Sequence, residues 1–217
     1  MTQLPPEPVT ARIVSPGAIT EVVGRLSSGR TSLLVACLRD HTRAGAMVAL
    51  VDADQAFDPT SAVRAGVDLR RLLWVRCGSR RDVALRATDL LVRCPGFALI
   101  GLDVGESPPR LSLGDAFRLK LAVRRSGVAL LILGARRIAG AAATLALESA
   151  RETLAWSGPG SSPTRLARMR SRLNVLRGFT GAPLSETDPS PSARGGVQEA
   201  RRLSPLPAHG LDLEWTA

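Results

Sequence analysis

The sequence predicts an α/β fold: a mainly parallel sheet flanked by helices, with antiparallel strands added at one edge. Three observations lead there. Short apolar runs (AITEVVG, MVALVDA, LLWVR, FALIGLD, VALLILG) alternate with stretches of helical period, and strands joined through helices imply right-handed crossovers in a sheet covered on both faces. Hydrophobic residues make up 45% of the chain and aromatics only 3%, which suits a sheet packed by aliphatic helices. At 217 residues the chain can bury one substantial core and carry extra segments, so one domain and a tail are expected.

Taken in order, residues 1–16 are proline-rich and read as a lead-in strand or linker, and a core follows over 17–179. Its first strand is AITEVV, then come a helix over about 31–43, the strand MVALVDA, a helix over about 60–65 and the strand LLWVR. A helix over 80–93 leads to FALIGLD, and one over about 113–125 leads to VALLILG. Beyond Gly134 the alanine-rich stretch reads as a short helix passing into a strand at about 152–156. TRLARMRSRLNVLRG then reads as one strand, or a pair joined by a turn, and these strands, the one at 152–156 included, are expected to extend the sheet antiparallel on one edge. From 180 to 217 Pro, Ser, Gly, Glu and Arg dominate and no apolar period survives, the composition of a disordered tail. Its last residues, GLDLEWTA, regain apolar character and read either as a docking peptide or as a strand packed back on the domain.

The net charge of +10 rests on arginine, since Lys120 is the only lysine. Such a balance favours contact with nucleic acid or an acidic protein surface, although an arginine-biased coding sequence produces it too. Cys37, Cys77 and Cys94 form no C-x-x-C pair and fall on apolar stretches, so each reads as a small buried hydrophobe in a reducing compartment. His41 and His209 have no metal-ligand spacing around them, and no metal site is expected. No run of 18 apolar residues and no basic, apolar leader is present, so membrane functions are set aside and a soluble, cytoplasmic protein is expected.

One motif carries chemistry. Residues 24–34, GRLSSGRTSLL, have the spacing G-x-x-x-x-G-K-[ST] of a phosphate-binding loop, with Arg30 at the lysine position. A strand enters the loop and a helix leaves it, which aims the amides around Gly24, Ser27, Ser28, Gly29, Arg30 and Thr31 at an anion. Asp103 ends the apolar strand LIGLD, where an acid can hold a Mg²⁺-bound water beside the loop threonine.

With these residues in view, GAITEVVGRLSSGRTSLL and MVALVDADQAFDPTSAVRAGVDLRRLLWVR resemble the ATPase core of the bacterial RecA recombinases, closely over 18–103 and more loosely over 128–178. The resemblance implies a RecA-like core of the phosphate-loop NTPase type. It also implies three departures. Arg30 replaces a lysine that reaches the β and γ phosphates, and a planar guanidinium does not take the same seat. Leu26 stands where recombinases carry the glutamate that activates water, and Ser61 where they stack a tyrosine on adenine. No catalytic residue is therefore expected, and ATP or Mg²⁺ is expected to bind, if at all, without efficient hydrolysis.

DNA-handling parts are reduced as well. Between Asp103 and Val128 there is room for a turn and one helix but not for a long DNA loop. After VALLILG, Arg136, Arg137 and a run of alanines stand where recombinases have a switch residue and a glycine-rich loop. With about sixteen residues ahead of the core, the polymerising helix and linker are expected to be missing, and a filament is not expected. This reduced pattern resembles the short RecA-like accessory proteins of bacterial mutagenesis cassettes, the ImuA type, which accompany an inactive Y-family polymerase homologue and an error-prone polymerase. The division inhibitor SulA is a more distant likeness.

Arg165, Arg168, Arg170, Arg172 and Arg177 lie close together, and in a strand Arg168, Arg170 and Arg172 share one face. They read either as contacts to DNA phosphates or an acidic partner, or as charges that protect an edge strand. Arg70, Arg71, Arg80 and Arg81 read as solvent charge. The implied readings are three. One is a non-catalytic accessory of the DNA-damage response that binds RecA and translesion polymerase components. Another is a DNA-dependent ATPase in which Glu21, Asp54 or Glu106 orients water, and the last is a division inhibitor.

Overall fold

The structure, a computed structural model, describes residues 9–158, 165–178 and 211–216. Its eight strands form one sheet in the order β3-β2-β4-β5-β1-β6-β7-β8. They are β1 Ile19–Val23, β2 Met47–Asp52, β3 Leu72–Arg76, β4 Phe97–Asp103, β5 Ala129–Gly134, β6 Leu145–Ser157, β7 Arg165–Arg177 and β8 Leu211–Thr216. Every pairing from β3 through β6 is parallel, and β7 and β8 are antiparallel additions. The helices are α1 Val9–Ile13, α2 Arg30–Arg43, α3 Pro59–Arg64, α4 Arg81–Arg93 and α5 Leu113–Ser126.

Each element has a local cause. The six residues of β5 are all buried, and their side chains alternate between two cores. Leu131 and Leu133 join Leu33, Leu34 and Leu38 of α2, while Leu130 and Ile132 join Leu119 and Val123 of α5 and Ala84 of α4. Helix α4 buries Ala84, Thr88 and Val92, one per turn, so a single stripe docks on the sheet. Helix α3 starts at Pro59 after Asp58, whose carboxylate accepts from the N–H groups of Thr60 and Ser61 at 3.0 and 3.1 Å. Helix α5 starts on the Ser112 hydroxyl, 3.1 Å from the Asp115 N–H, and stops at Gly127, whose φ of 74° only glycine adopts freely.

Four expectations are corrected. Residues 9–13 form a helix, not a strand or linker: Ile13 is fully buried beside α2, and the Thr10 hydroxyl donates to Asp40 at 2.6 Å. The alanine-rich stretch is not helical beyond the 3-10 turn Gly140–Ala142, because β6 already begins at Leu145. Leu145 and Leu147 enter the core, and pairing with β1 satisfies the backbone, which overrides the helix preference of alanine. β6 therefore continues the parallel sheet, and the antiparallel edge starts at β7. Cys94 is exposed at the end of α4, whereas Cys37 and Cys77 are buried; burial pushes the Cys37 thiol up to about 12, with Asp40 adding to it.

TRLARMRSRLNVLRG contributes one strand, not a pair. Of the two readings of the C-terminal peptide, the strand against the domain is the one adopted, through β8 on β7. The expected tail over 180–210 and His209 lie outside the described residues. No described helix is long and apolar enough to cross a membrane.

Candidate functional site

The candidate site lies at the C-terminal ends of β1, β2 and β4. The Gly24 N–H donates to the Gly134 carbonyl at 3.2 Å, and the loop closes at Gly29, whose φ of 96° precedes the first turn of α2. Neither glycine has room for a side chain. A Cβ on Gly24 would lie 2.4 Å from Ser28 Oγ and 2.6 Å from the Ser149 carbonyl, and one on Gly29 would lie 2.3 Å from Ser171 Oγ. Strands β6 and β7 thus press directly on the loop, and the Ser149 hydroxyl donates to the Ser28 carbonyl at 2.8 Å. The hydroxyls of Ser28 and Ser171 are buried with no hydrogen-bond partner among the described residues. Ser27 and Thr31 are exposed, and Leu26 is 72% exposed.

Arg30 is the loop's central charge and only 6% of it is exposed. Its guanidinium donates to the Gly24 carbonyl at the loop's start and to the Glu106 carboxylate beyond β4. The cation that would meet phosphates is therefore spent on its own loop and on an acid. A cavity of about 110 Å³ remains, lined by Leu26–Ser32 and Met169. That is well below the roughly 300–1,000 Å³ typical of sites that enclose a small-molecule ligand.

Asp103 ends β4 beside Asp52 of β2, in register with it, and is 8% exposed. Its carboxylate accepts from the Gly105 N–H at 2.9 Å. Burial pushes its pKa above the usual carboxylate range; the Gly105 N–H and Arg30 pull it back, and Asp52 and Asp54 push it up. A carboxyl whose pKa is raised by folding stabilises the fold when protonated. That contribution is full below the unfolded pKa and is lost as pH rises through the folded value, so ionised Asp103 is a burden at neutral pH. Asp103→Asn, which keeps the acceptor for Gly105, is expected to raise stability at pH 7 by on the order of 1 kcal/mol. The gain should vanish near pH 3, and a melting temperature lower than that of the unaltered chain at pH 7 would contradict it.

The other acids are all engaged. Asp52 accepts from the N–H groups of Ala56 and Phe57 at 3.1 Å and from Trp74 Nε1 at 3.2 Å, which folds the segment DADQAFDP onto the sheet. Asp54 meets Arg81 at 2.5 Å, so Arg81 is a site residue and not solvent charge. Glu21, 1% exposed on β1, accepts from the N–H groups of Ile138 and Ala139, the latter at 2.9 Å, and from Arg137 Nε at 3.2 Å. Ser61 is exposed on α3 and its hydroxyl donates to Asp58. Among the described residues no group of three or more His, Cys, Asp or Glu side chains is arranged to hold a metal ion.

Arg168, Arg170 and Arg172 are exposed and alternate with Met169, Ser171 and Leu173, whose side chains face inward, so the expected shared face exists. Arg172 meets Glu152 of β6 at 2.5 Å. Arg177 is exposed near the strand's end, and the side chain of Arg165 lies outside the described set. Sequence reasoning missed Ser149, Met169 and Ser171 as walls of the loop. For Met169 and Ser171 the signal is the alternation of small or apolar residues with the arginines of β7, and Ser149 of β6 has none.

Residues 12–110 match the RecA N-terminal domain family. This stretch of the chain is RecA-like. The chain is 39% identical over 87 residues to Protein RecA of Chlorobaculum tepidum, covering 40% of this chain and 25% of the relative. Protein RecA of Tropheryma whipplei is 39% identical over 101 residues, covering 46% of this chain and 23% of the relative. Protein RecA of Leifsonia xyli subsp. xyli is 38% identical over 105 residues, covering 46% of this chain and 29% of the relative. The chain thus spans about a quarter of the length of these curated relatives. The RecA-like stretch contains the loop, Asp52, Asp103 and Glu106, whereas β6, β7 and β8 lie beyond it.

Proposed function

We propose that this chain is a non-catalytic RecA-like accessory protein of the DNA-damage response. It acts through protein partners, namely RecA, an inactive Y-family polymerase homologue and an error-prone polymerase, to modulate recombination and promote translesion synthesis. One observation carries the reading: Arg30 is buried between the Gly24 carbonyl and Glu106, so the phosphate loop is closed by its own side chain. The acids considered as replacements for the missing water-activating glutamate support it, since Glu21 holds a turn, Asp54 holds Arg81 and Glu106 holds Arg30. A loop so arranged needs no cofactor to keep its shape, and what it offers is a RecA-shaped surface. The resemblance to the ImuA type supplies the biological setting.

The reading is tested by immobilising the purified full chain and passing RecA and the two polymerase components over it separately, with and without ATP. Retention of at least one of them, independent of ATP, is expected. Retention of none would end the proposal.

A further inference from the structure

Strand β7 is read from two sides. Its inward row, Met169, Ser171 and Leu173, packs against the loop and core, so the strand's position is set by the domain. Its free edge is then a fixed row of backbone donors and acceptors beside a row of arginines. In the structure that edge is taken by β8, which pairs antiparallel over six residues and lies at the end of the sheet, held on one side only. The register is informative. Asp212 stands opposite Arg172 and Glu214 opposite Arg170, while Leu211, Leu213 and Trp215 stand opposite Leu173, Ser171 and Met169. In the register, each of the two acidic positions of β8 is therefore paired with an arginine position of β7.

We propose that the β7 edge is an acceptor site for an extended peptide that alternates acidic and apolar residues, donated as a strand by a partner protein and held in its absence by residues 211–216 of the same chain. Backbone pairing supplies the affinity common to any added strand, and the arginines select acids at alternate positions. The resident strand is both the template for the ligand and its competitor. A partner that presents a longer or more acidic strand displaces it, and the chain's own C-terminal peptide is released in the exchange. Nucleic acid fits less well, because a phosphate backbone would meet the arginines but leave the strand edge unpaired. For its biological use the inference rests on the partner-binding reading above, but its test does not. Peptide capture is measured on the isolated chain, and its failure leaves the RecA and polymerase binding experiment unaffected.

The probe is a fluorescein-labelled peptide of residues 210–217, GLDLEWTA, followed by anisotropy against the full chain and against the full chain carrying Asp212→Asn and Glu214→Gln. Weakening the resident strand is expected to tighten peptide binding about tenfold. A peptide with Asn and Gln at the two acidic positions should bind about tenfold more weakly, and that preference should fade in high salt. Adding Arg170→Ser and Arg172→Ser should remove the preference. If those changes disturb folding, a peptide with lysine at both acidic positions poses the same question to the intact arginines and should not bind. Equal affinity of both chains for the acidic peptide, or no discrimination between acidic and neutral peptides, would overturn the proposal. So would a single-stranded oligonucleotide binding where the peptide does not, which would assign the row to phosphates. Dimers formed by exchange of residues 211–216 without any peptide would assign it to a second copy.

Discussion

Replacing Glu21 by alanine is expected to lower the unfolding free energy by about 3–5 kcal/mol, a drop in melting temperature of about 10 °C. The carboxylate is 1% exposed and serves two backbone N–H groups and Arg137 at once. Its removal orphans both buried donors and deletes the ion pair to Arg137, whose guanidinium keeps only the Gly140 carbonyl, and the turn at 136–139 then loses its anchor on β1. Glu21→Gln keeps an oxygen for the two N–H groups and loses only the ion pair, so its loss should be less than half as large. Thermal unfolding followed by circular dichroism separates the two. A Glu21→Ala chain that melts within about 2 °C of the unaltered one, less than 1 kcal/mol at this size, would show that the turn is held by something else.

The second large effect runs against intuition. Restoring the usual loop lysine, Arg30→Lys, is expected to destabilise the chain by about 1–3 kcal/mol and not to create an ATPase. A guanidinium spans two acceptors in a fixed fork, here the Gly24 carbonyl and Glu106, and an ammonium on a flexible stem does not hold both. Anion affinity should rise, because a lysine released from Glu106 is available to phosphate. Turnover should stay at background, since Leu26 still stands where a water-activating acid is needed. Denaturant unfolding and a coupled phosphate-release assay on the same preparation check both halves. A stabilised, hydrolysing Arg30→Lys chain would refute the argument.

The parts of the fold that were legible in the sequence were those with a strong local signature. Strand β5 is a run of six aliphatic or glycine residues, helix α5 begins on a serine cap and ends at Gly127, and the phosphate loop announces itself by its spacing. Illegible parts depend on partners far along the chain. The alanine-rich stretch before β6 has every local reason to be helical, and the strand read at 152–156 starts earlier, at Leu145, because residues 145–148 pair with β1, more than 120 residues earlier, and the rest of β6 pairs with β7. Residues 211–216 are too few to declare themselves, and their structure comes from the edge they join. At the site, the sequence showed that Arg30 was out of place but not where its charge goes, because Glu106 lies 76 residues away. Glu21 was read only as one of three acids that could orient water, because its partners at 137–139 lie more than 115 residues away.

The central claim, that this RecA-like loop holds a shape and does not turn over nucleotide, is tested most directly by ATP hydrolysis with the unaltered full chain. Turnover is measured at saturating Mg-ATP, with and without single-stranded DNA. The expected rate equals the no-protein background under both conditions and is unchanged by Asp103→Ala. DNA-stimulated hydrolysis that disappears in the Asp103→Ala chain would contradict the claim and make the protein an ATPase.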